Sequence, residues 1–183
     1  VLLFSGQIGS VELEYHRNGE VETIWFERGE DGPAGGAFRR LAIKETAEGP
    51  SGRKQREHQM IYGCQDNLTI AACMDAEKGF LKIPETVPRI FVDFPLIGAE
   101  KFPFPAVLNS REFKTNEPRS GITLVDNENS KDALANKAVM QRAVCLYGQF
   151  VHEMAHSGCQ GLEHLVSIPA WRPDKEMSES WVK

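Results

Sequence analysis

Apolar and polar residues alternate along the first 75 residues in the pattern of a β-meander. In "SVELEYHR", Val11, Leu13 and Tyr15 alternate with charged residues, which is the period of two expected of a half-buried strand. The Asn18-Gly19 pair that follows is typical of a tight hairpin turn, and "VETIWFER" supplies the returning strand. Three further strands are predicted for "AFRRLAIKET", "HQMIYGC" and "NLTIAACMD".

Two polar segments and one proline-rich segment separate or follow these strands. The Gly-rich "RGEDGPAGG" and the charged "AEGPSGRKQRE" predict exposed loops. From Ile90 to Ser110, prolines alternate with aromatic residues. Proline removes a backbone donor and biases the residue before it away from helix, so this stretch is predicted to be ordered but irregular, or an edge strand.

A long helix is predicted for "DNENSKDALANKAVMQRAVCLYGQFVHEMAH", with Asp126, Asn127 or Asn129 as its N-cap. A shorter helix, "GLEHLVSI", is expected after a break at Ser157-Gly158. Apolar residues recur in the long helix at steps of three and four, which defines a core-facing stripe. The stripe consists of Ala135, Val139, Ala143, Leu146, Phe150 and Met154.

The predicted fold class is therefore α+β, a mostly antiparallel β-meander followed by a long helix. We divide the chain into a β-rich region at 1–126 with its proline-rich segment at 90–120, a helical region at 127–170 and a polar tail at 171–183. This division rests on where the period of the apolar pattern changes from two to between three and four.

Composition narrows the class of protein. The chain has 183 residues, 26% of them charged, and a formal net charge of −5, which describes an ordinary, slightly acidic soluble protein. We therefore expect neither a nucleic-acid partner nor a membrane partner. The four cysteines have the spacing of neither a paired zinc motif nor a disulfide framework, which favours reduced thiols in a cytoplasmic protein. Because the sequence begins without Met, it is interpreted as a fragment or a processed product.

The stretch "VHEMAHSG" contains the H-E-x-x-H pattern of zinc peptidases. His152 and His156 would lie on one helical face and could share a metal ion, with Glu153 polarising a bound water. Helical projection, however, places both imidazoles opposite the core stripe, towards solvent. A catalytic zinc also needs a third protein ligand, and the spacing to His164 does not fit. We predict no metal site here and keep a zinc-dependent hydrolase as an alternative.

The segment from Phe94 to Asp126 resembles the region just beyond the nucleotide-binding domain of sacsin-like and bacterial heat-shock-protein-90-like ATPases of the GHKL superfamily. In that group a proline-rich apolar strand leads into a turn with an asparagine and a phenylalanine, and then to an arginine. The corresponding residues here are Pro103, Pro105, Asn109, Phe113 and Arg119. The resemblance covers about residues 85–183 and, more weakly, the first half.

This resemblance implies a ribosomal-protein-S5-domain-2-like fold and a loop cation that reaches the terminal phosphate of bound ATP. A cation in that position stabilises the charge that develops in phosphoryl transfer. Arg119 is the first candidate, with Arg111 and Lys114 behind it. The alternative role for Arg119 is structural, as an ion pair with Glu117 or a cap on a neighbouring carbonyl. The chain has no D-x-G-x-G motif and no glycine lid, so ATP and magnesium are expected only in the parent protein.

The function implied is that of a non-catalytic middle or transducer region in a multidomain, ATP-dependent, chaperone-like ATPase. Its partners would be the upstream nucleotide-binding domain of the same chain and a client protein that the sequence does not identify. A homodimer is compatible with this interpretation. Whether the chain takes part in catalysis is left open, and a protein-interaction scaffold built on the β-rich half is a further alternative.

Overall fold

A computed structural model of the chain describes residues 2–5, 7–116, 121–124 and 130–166. Within them lie nine strands and two helices, α1 (Lys131–His156) and α2 (Leu162–Val166). The strands are β1 (Ser10–Arg17), β2 (Glu20–Gly35), β3 (Phe38–Gly49), β4 (Gly52–Gln65), β5 (Leu68–Asp75), β6 (Gly79–Phe80), β7 (Ile90–Val92), β8 (Phe94–Pro95) and β9 (Val107–Ser110). The predicted polar tail at 171–183 lies outside the described residues.

The strands form a single sheet in the order β1-β2-β3-β4-β5-β9-β7-β8, with β6 paired to β5. The first five strands are consecutive antiparallel neighbours, and β7 runs parallel to β9. The fold is α+β, a curled antiparallel β-meander that forms a half-barrel and is followed by a long C-terminal helix. The predicted meander and long helix are confirmed. Neither helix among the described residues is long and apolar enough to span a membrane.

The predicted first hairpin is confirmed, but the apolar face of β1 is not buried. Asn18 and Gly19 form the turn with positive φ angles of 53° and 80°, as a tight primed turn requires. Leu13 and Tyr15 are 39% and 51% exposed, so the prediction of a half-buried strand is wrong for them. The distal parts of β1 and β2 extend beyond the elements that cover the rest of the sheet, which is why the alternation there does not mark a core.

The segment "RGEDGPAGG" was predicted to be an exposed loop and this is wrong, because β2 continues through it to Gly35. The pairing of β2 with β3 shifts register between Arg28 and Asp31, as at a β-bulge. The Asp31 carboxylate there accepts hydrogen bonds from the Tyr62 hydroxyl at 2.7 Å and from Arg39 Nε at 2.9 Å. These contacts hold a segment of low strand propensity in the sheet.

The segment "AEGPSGRKQRE" is also strand rather than loop. β3 and β4 continue through it on either side of a two-residue turn, Pro50-Ser51. The register places Glu48 opposite Arg53, and further along the ribbon it places Glu45 opposite Arg56 and Lys44 opposite Glu57. Opposite charges directly across an antiparallel pair stabilise it, so a stretch that reads as a solvated loop forms a solvated ribbon instead.

Helix α1 begins one residue after a cap that differs from the predicted ones. Ser130 is the N-cap, and its side chain accepts a hydrogen bond from the Ala133 N–H at 3.3 Å. The predicted caps at 126, 127 and 129 lie outside the described residues and are replaced by this serine. The break at Ser157-Gly158 is confirmed, since Gly158 has a φ of 69°, and α2 confirms the short second helix.

The buried face of α1 matches the predicted stripe except at its start. Five residues of the predicted stripe are buried, namely Val139, Ala143, Leu146, Phe150 and Met154. Ala135 is only half-buried, so its assignment is wrong; Ala133 and Asn136 take the buried positions in that turn. The helix packs on one face of the sheet, where Phe150 meets the Phe38 ring edge-on with centroids 5.2 Å apart.

The opposite face of the sheet is covered by the N-terminal segment and by the loop that leads to β7. Leu3 and Phe4 pack against a small buried cluster formed by Leu41, Tyr62 and Ala71. The proline-rich region is ordered and contains the short strands β7, β8 and β9, of which β8 lies at the sheet edge, as predicted. The four cysteines are free thiols, also as predicted.

Candidate functional site

A buried amide on α1 fixes the loop that carries the predicted cations. Asn136 has no exposed side-chain surface and makes three hydrogen bonds to the loop backbone. Its Oδ1 accepts from the Lys114 N–H at 2.7 Å, and its Nδ2 donates to the Lys114 and Thr123 carbonyls, both at 2.9 Å. One buried side chain thus pairs with three backbone groups of the loop, which fixes the loop against the helix.

The two described ends of this loop are also paired with each other. Thr115 and Ile122 form an antiparallel bridge, and the Asn116 N–H donates to the Gly121 carbonyl at 3.0 Å. The Gly121 N–H in turn donates to Asn116 Oδ1 at 2.9 Å. Arg119 and its alternative partner Glu117 belong to residues 117–120, outside the described residues. The chain on both sides of Arg119 is therefore held in place.

Arg111 and Lys114 come together at one surface cavity of about 420 Å³ beside α1, which Arg142 also lines. Arg111 Nε donates to Asp93 Oδ2 at 2.7 Å, and Arg142 is ion-paired with Glu112. Lys114 has no ion-pair partner within the parts of the chain that the structure describes. Of the three cations at the cavity, Lys114 is thus the one that needs no carboxylate to be displaced before it contacts an anion.

Two residues of the segment that carries the resemblance, Asn109 and Phe113, hold the chain around this cavity in place. Phe113 is buried in the main core and anchors the loop between Arg111 and Lys114. Asn109 is also buried, and its Oδ1 accepts a hydrogen bond from the Asp93 N–H at 2.8 Å. Asp93 has a φ of 63°, a conformation that aspartate adopts more readily than most residues. Asn109 therefore positions the carboxylate that holds Arg111.

The H-E-x-x-H residues lie elsewhere on α1 and face solvent. His152 and His156 are exposed, as predicted, with ring centroids 4.1 Å apart. Glu153 lies against the β2–β3 turn, since a Cβ added at Gly36 would be 3.0 Å from its carboxylate. Over the described ranges, no three His, Cys, Asp or Glu side chains are grouped so that they could hold a metal ion. His152 follows Arg142 by ten residues, roughly 15 Å along the helix axis, so the two regions are separate.

Two residues of the cavity region were not found from the sequence. Asn136 stands three residues before Val139, so a polar residue at the period of the apolar stripe was the available signal for a buried amide. Arg142 lies beside the stripe and carries no comparable signal, since a charged residue there is typical of the boundary between core and solvent.

The chain matches no known family model, no curated protein and no solved structure.

Proposed function

We propose that the chain is the transducer region of a multidomain GHKL-type ATPase, and that its loop at 111–124 presents a phosphate-sensing cation to the nucleotide-binding domain. The observation that carries the proposal is the fixation of the loop backbone by Asn136 at Lys114, whose ammonium has no ion-pair partner among the described residues. A cation held in place before the substrate arrives contributes more to the stabilisation of a transition state than one that must first be ordered.

The three candidate cations have different parts in this proposal. Arg119 is assigned to the terminal phosphate by the sequence resemblance. Lys114 supports a second contact, because its ammonium has no carboxylate partner among the described residues. Arg111 is the least suited, since its 2.7 Å ion pair with Asp93 would have to be given up. ATP and magnesium would bind in the partner domain, and the chain alone would not hydrolyse ATP.

The finer assignment of the fold to the ribosomal-protein-S5-domain-2-like class is part of the same proposal. An antiparallel sheet with a helix on one face is compatible with it. The long strands β1 to β4, which include the solvated β3–β4 ribbon, are an addition that this assignment does not explain. A client protein and a homodimer likewise remain predictions that follow from the resemblance, and a cytoplasmic location remains a prediction from the spacing of the cysteines.

Of the two other candidate functions, an interaction scaffold has the stronger support. The β1–β2 hairpin exposes large apolar side chains, including Leu13, Tyr15 and Val21, and exposed apolar patches often mark contact surfaces. A zinc-dependent hydrolase has less support, because Glu153 lies against the β2–β3 turn and the described chain provides no third ligand for His152 and His156.

The test is ATP turnover by the full-length protein that contains this chain, compared with its Arg119→Ala and Lys114→Ala variants. We expect at least a tenfold loss of turnover for Arg119→Ala, equivalent to about 1.4 kcal/mol of transition-state stabilisation. Arg119→Lys should restore part of it, because lysine keeps the charge and loses the planar fork. Lys114→Ala should reduce turnover less than Arg119→Ala.

Arg53→Ala is the matched control, because Arg53 lies in β4, where it pairs across the ribbon with Glu48, and is far from the loop in sequence. It should leave turnover unchanged. The proposal would be refuted if the full-length protein had no ATPase activity. It would also be refuted if a folded Arg119→Ala protein turned over ATP as fast as the wild type.

A further inference from the structure

The strand β1 lies at one end of the sheet, and its outer edge has no neighbouring strand among the described residues. The strand at the other end, β8, has only two residues. β1 has eight residues, contains no proline and pairs with β2 without a register shift. A long, regular and open edge can add a strand from another chain, because its backbone N–H and C=O groups are already aligned for pairing.

The register of the β1–β2 hairpin shows which backbone groups face this open edge. Arg17 and Glu20 flank the two-residue turn and therefore form a hydrogen-bonded pair. Such pairs alternate with non-hydrogen-bonded pairs in an antiparallel ladder, so the odd-numbered residues of β1 bond to β2. The Arg28 N–H, which donates to the Gly9 carbonyl at 2.9 Å, fits this alternation. The backbone groups that point outward are those of Ser10, Glu12, Glu14 and His16.

Side-chain charges limit the registers in which a second copy of β1 can pair with this edge. In an antiparallel pair with a two-fold axis, outward-facing residues must lie opposite outward-facing residues. An axis at Glu12 or Glu14 places that glutamate opposite itself, and an axis at Leu13 places Glu12 opposite the partner's Glu14. Like charges directly opposite each other destabilise a strand pair. An axis at Tyr15 avoids this and places each Glu14 opposite the partner's His16.

We propose that β1 pairs with β1 of a second copy of this chain, antiparallel and about a two-fold axis between the two Tyr15 residues. The backbone groups of Glu14 and His16 would make the hydrogen bonds. Tyr15 would face the partner's Tyr15 in a non-hydrogen-bonded pair, where side chains approach most closely. Leu13 would lie against the aliphatic stem of the partner's Arg17. This pairing gives a role to the exposed side chains of Leu13 and Tyr15, and it is independent of the proposed ATPase function.

The position of the axis near the hairpin turn sets the size of the assembly. The two molecules would meet through their hairpin tips, so the covered parts of the two sheets would lie on opposite sides of the contact. Each copy uses its one open β1 edge, so the assembly closes at two copies. Few residues are paired, and the buried area is therefore smaller than in permanent interfaces. We expect a weak dimer whose population depends on concentration.

Disulfide cross-linking tests the register. In Tyr15→Cys the two new thiols would lie opposite each other in a non-hydrogen-bonded pair, with Cα atoms about 4.5 Å apart, a distance that suits a disulfide. We expect mild oxidation to convert this variant into a covalent dimer. Leu13→Cys is the matched control, because it lies on the same face of β1 but its two copies would be roughly 13 Å apart. It should cross-link no more than the wild type, whose free cysteines give the background.

Sedimentation equilibrium measures the dissociation constant of the dimer and tests the two Glu14–His16 pairs. Glu14→Lys removes the acceptor opposite the partner's His16, and His16→Glu places two carboxylates opposite each other. Each change should raise the dissociation constant by about fivefold. The double variant restores opposite charges in both pairs and should return the constant to within about twofold of the wild-type value. With the axis at Glu14, it would instead place two lysines opposite each other and weaken the dimer.

Three results would overturn the proposal. The first is cross-linking of Leu13→Cys as efficient as that of Tyr15→Cys. The second is a double variant that dimerises no better than the single variants, or a dimer that none of these changes affects. The third is a wild-type protein that stays monomeric at about 1 mM, which would point to a strand of a different protein as the partner of β1.

Discussion

Replacement of Asn136 by alanine is the sharpest test of how the loop at 111–124 is held. The change removes three hydrogen bonds of 2.7, 2.9 and 2.9 Å to the loop backbone. At a net value of about 1 kcal/mol for each bond, the free energy of unfolding should fall by about 3 kcal/mol. For a chain of this size that corresponds to a melting temperature lower by roughly 6–12 °C.

Asn136→Asp separates hydrogen bonding from packing, because it has nearly the same volume. Its carboxylate can still accept from the Lys114 N–H, but it faces the Lys114 and Thr123 carbonyls with an oxygen in place of a donor. It should therefore be as destabilising as alanine near pH 7 and less so in acid, where the protonated carboxyl can donate one hydrogen bond.

Urea denaturation measures the effect of both substitutions. The midpoints are compared only if the dependence of the unfolding free energy on urea concentration is the same in each protein. Gln149→Ala, on the exposed face of the same helix, is the control and should change stability by less than about 0.5 kcal/mol. Our account of the loop would be refuted by an Asn136→Ala protein as stable as this control, or by an Asn136→Asp protein as stable as the wild type.

Three further predictions concern other parts of the molecule. Burial alone would raise the pKa of Asp31, but hydrogen bonds from Tyr62 and Arg39 outweigh it and lower that pKa; the stability lost in Asp31→Asn should therefore be largest at neutral pH and shrink below about pH 4, which denaturation across pH would show. The double change His152→Ala and His156→Ala should alter the free energy of unfolding by less than about 0.5 kcal/mol and so leave the melting temperature nearly unaltered; a melting temperature that falls when a chelator is added would contradict this. Gly63→Ala should cost about 1–3 kcal/mol in urea denaturation, because the new Cβ would lie 2.3 Å from the buried Phe38 ring; a neutral effect would show that the ring can move.

Local patterns were sufficient wherever the partners of a residue are close in sequence. The Asn18-Gly19 hairpin and the C-terminal half of the α1 stripe follow from backbone conformation and from helical periodicity, and both were predicted correctly. Neither depends on contacts with distant parts of the chain.

The errors lie where distant contacts override local propensity. The Gly-rich segment around Asp31 is held in the sheet by Arg39 and Tyr62, which are 8 and 31 residues away. No local pattern contains that information, so its composition indicates a loop. The exposed face of β1 is the opposite case, since alternation alone does not tell whether any element covers Leu13 and Tyr15.

The candidate site was predictable in part for the same reason. Arg111 and Lys114 are neighbours in the resembling segment, and the structure brings them to one cavity. Asn136 is 22 residues from Lys114, so only the fold shows that its amide serves the loop.

The most direct test of the proposed function is amide hydrogen exchange in the full-length protein, with and without a non-hydrolysable ATP analogue. If the loop at 111–124 contacts the bound nucleotide, exchange across this loop should slow when the analogue binds. The β1–β2 hairpin, which has no part in the proposal, should be unaffected and serves as the internal control. Unchanged exchange in the loop under conditions where the analogue is bound would contradict the central claim.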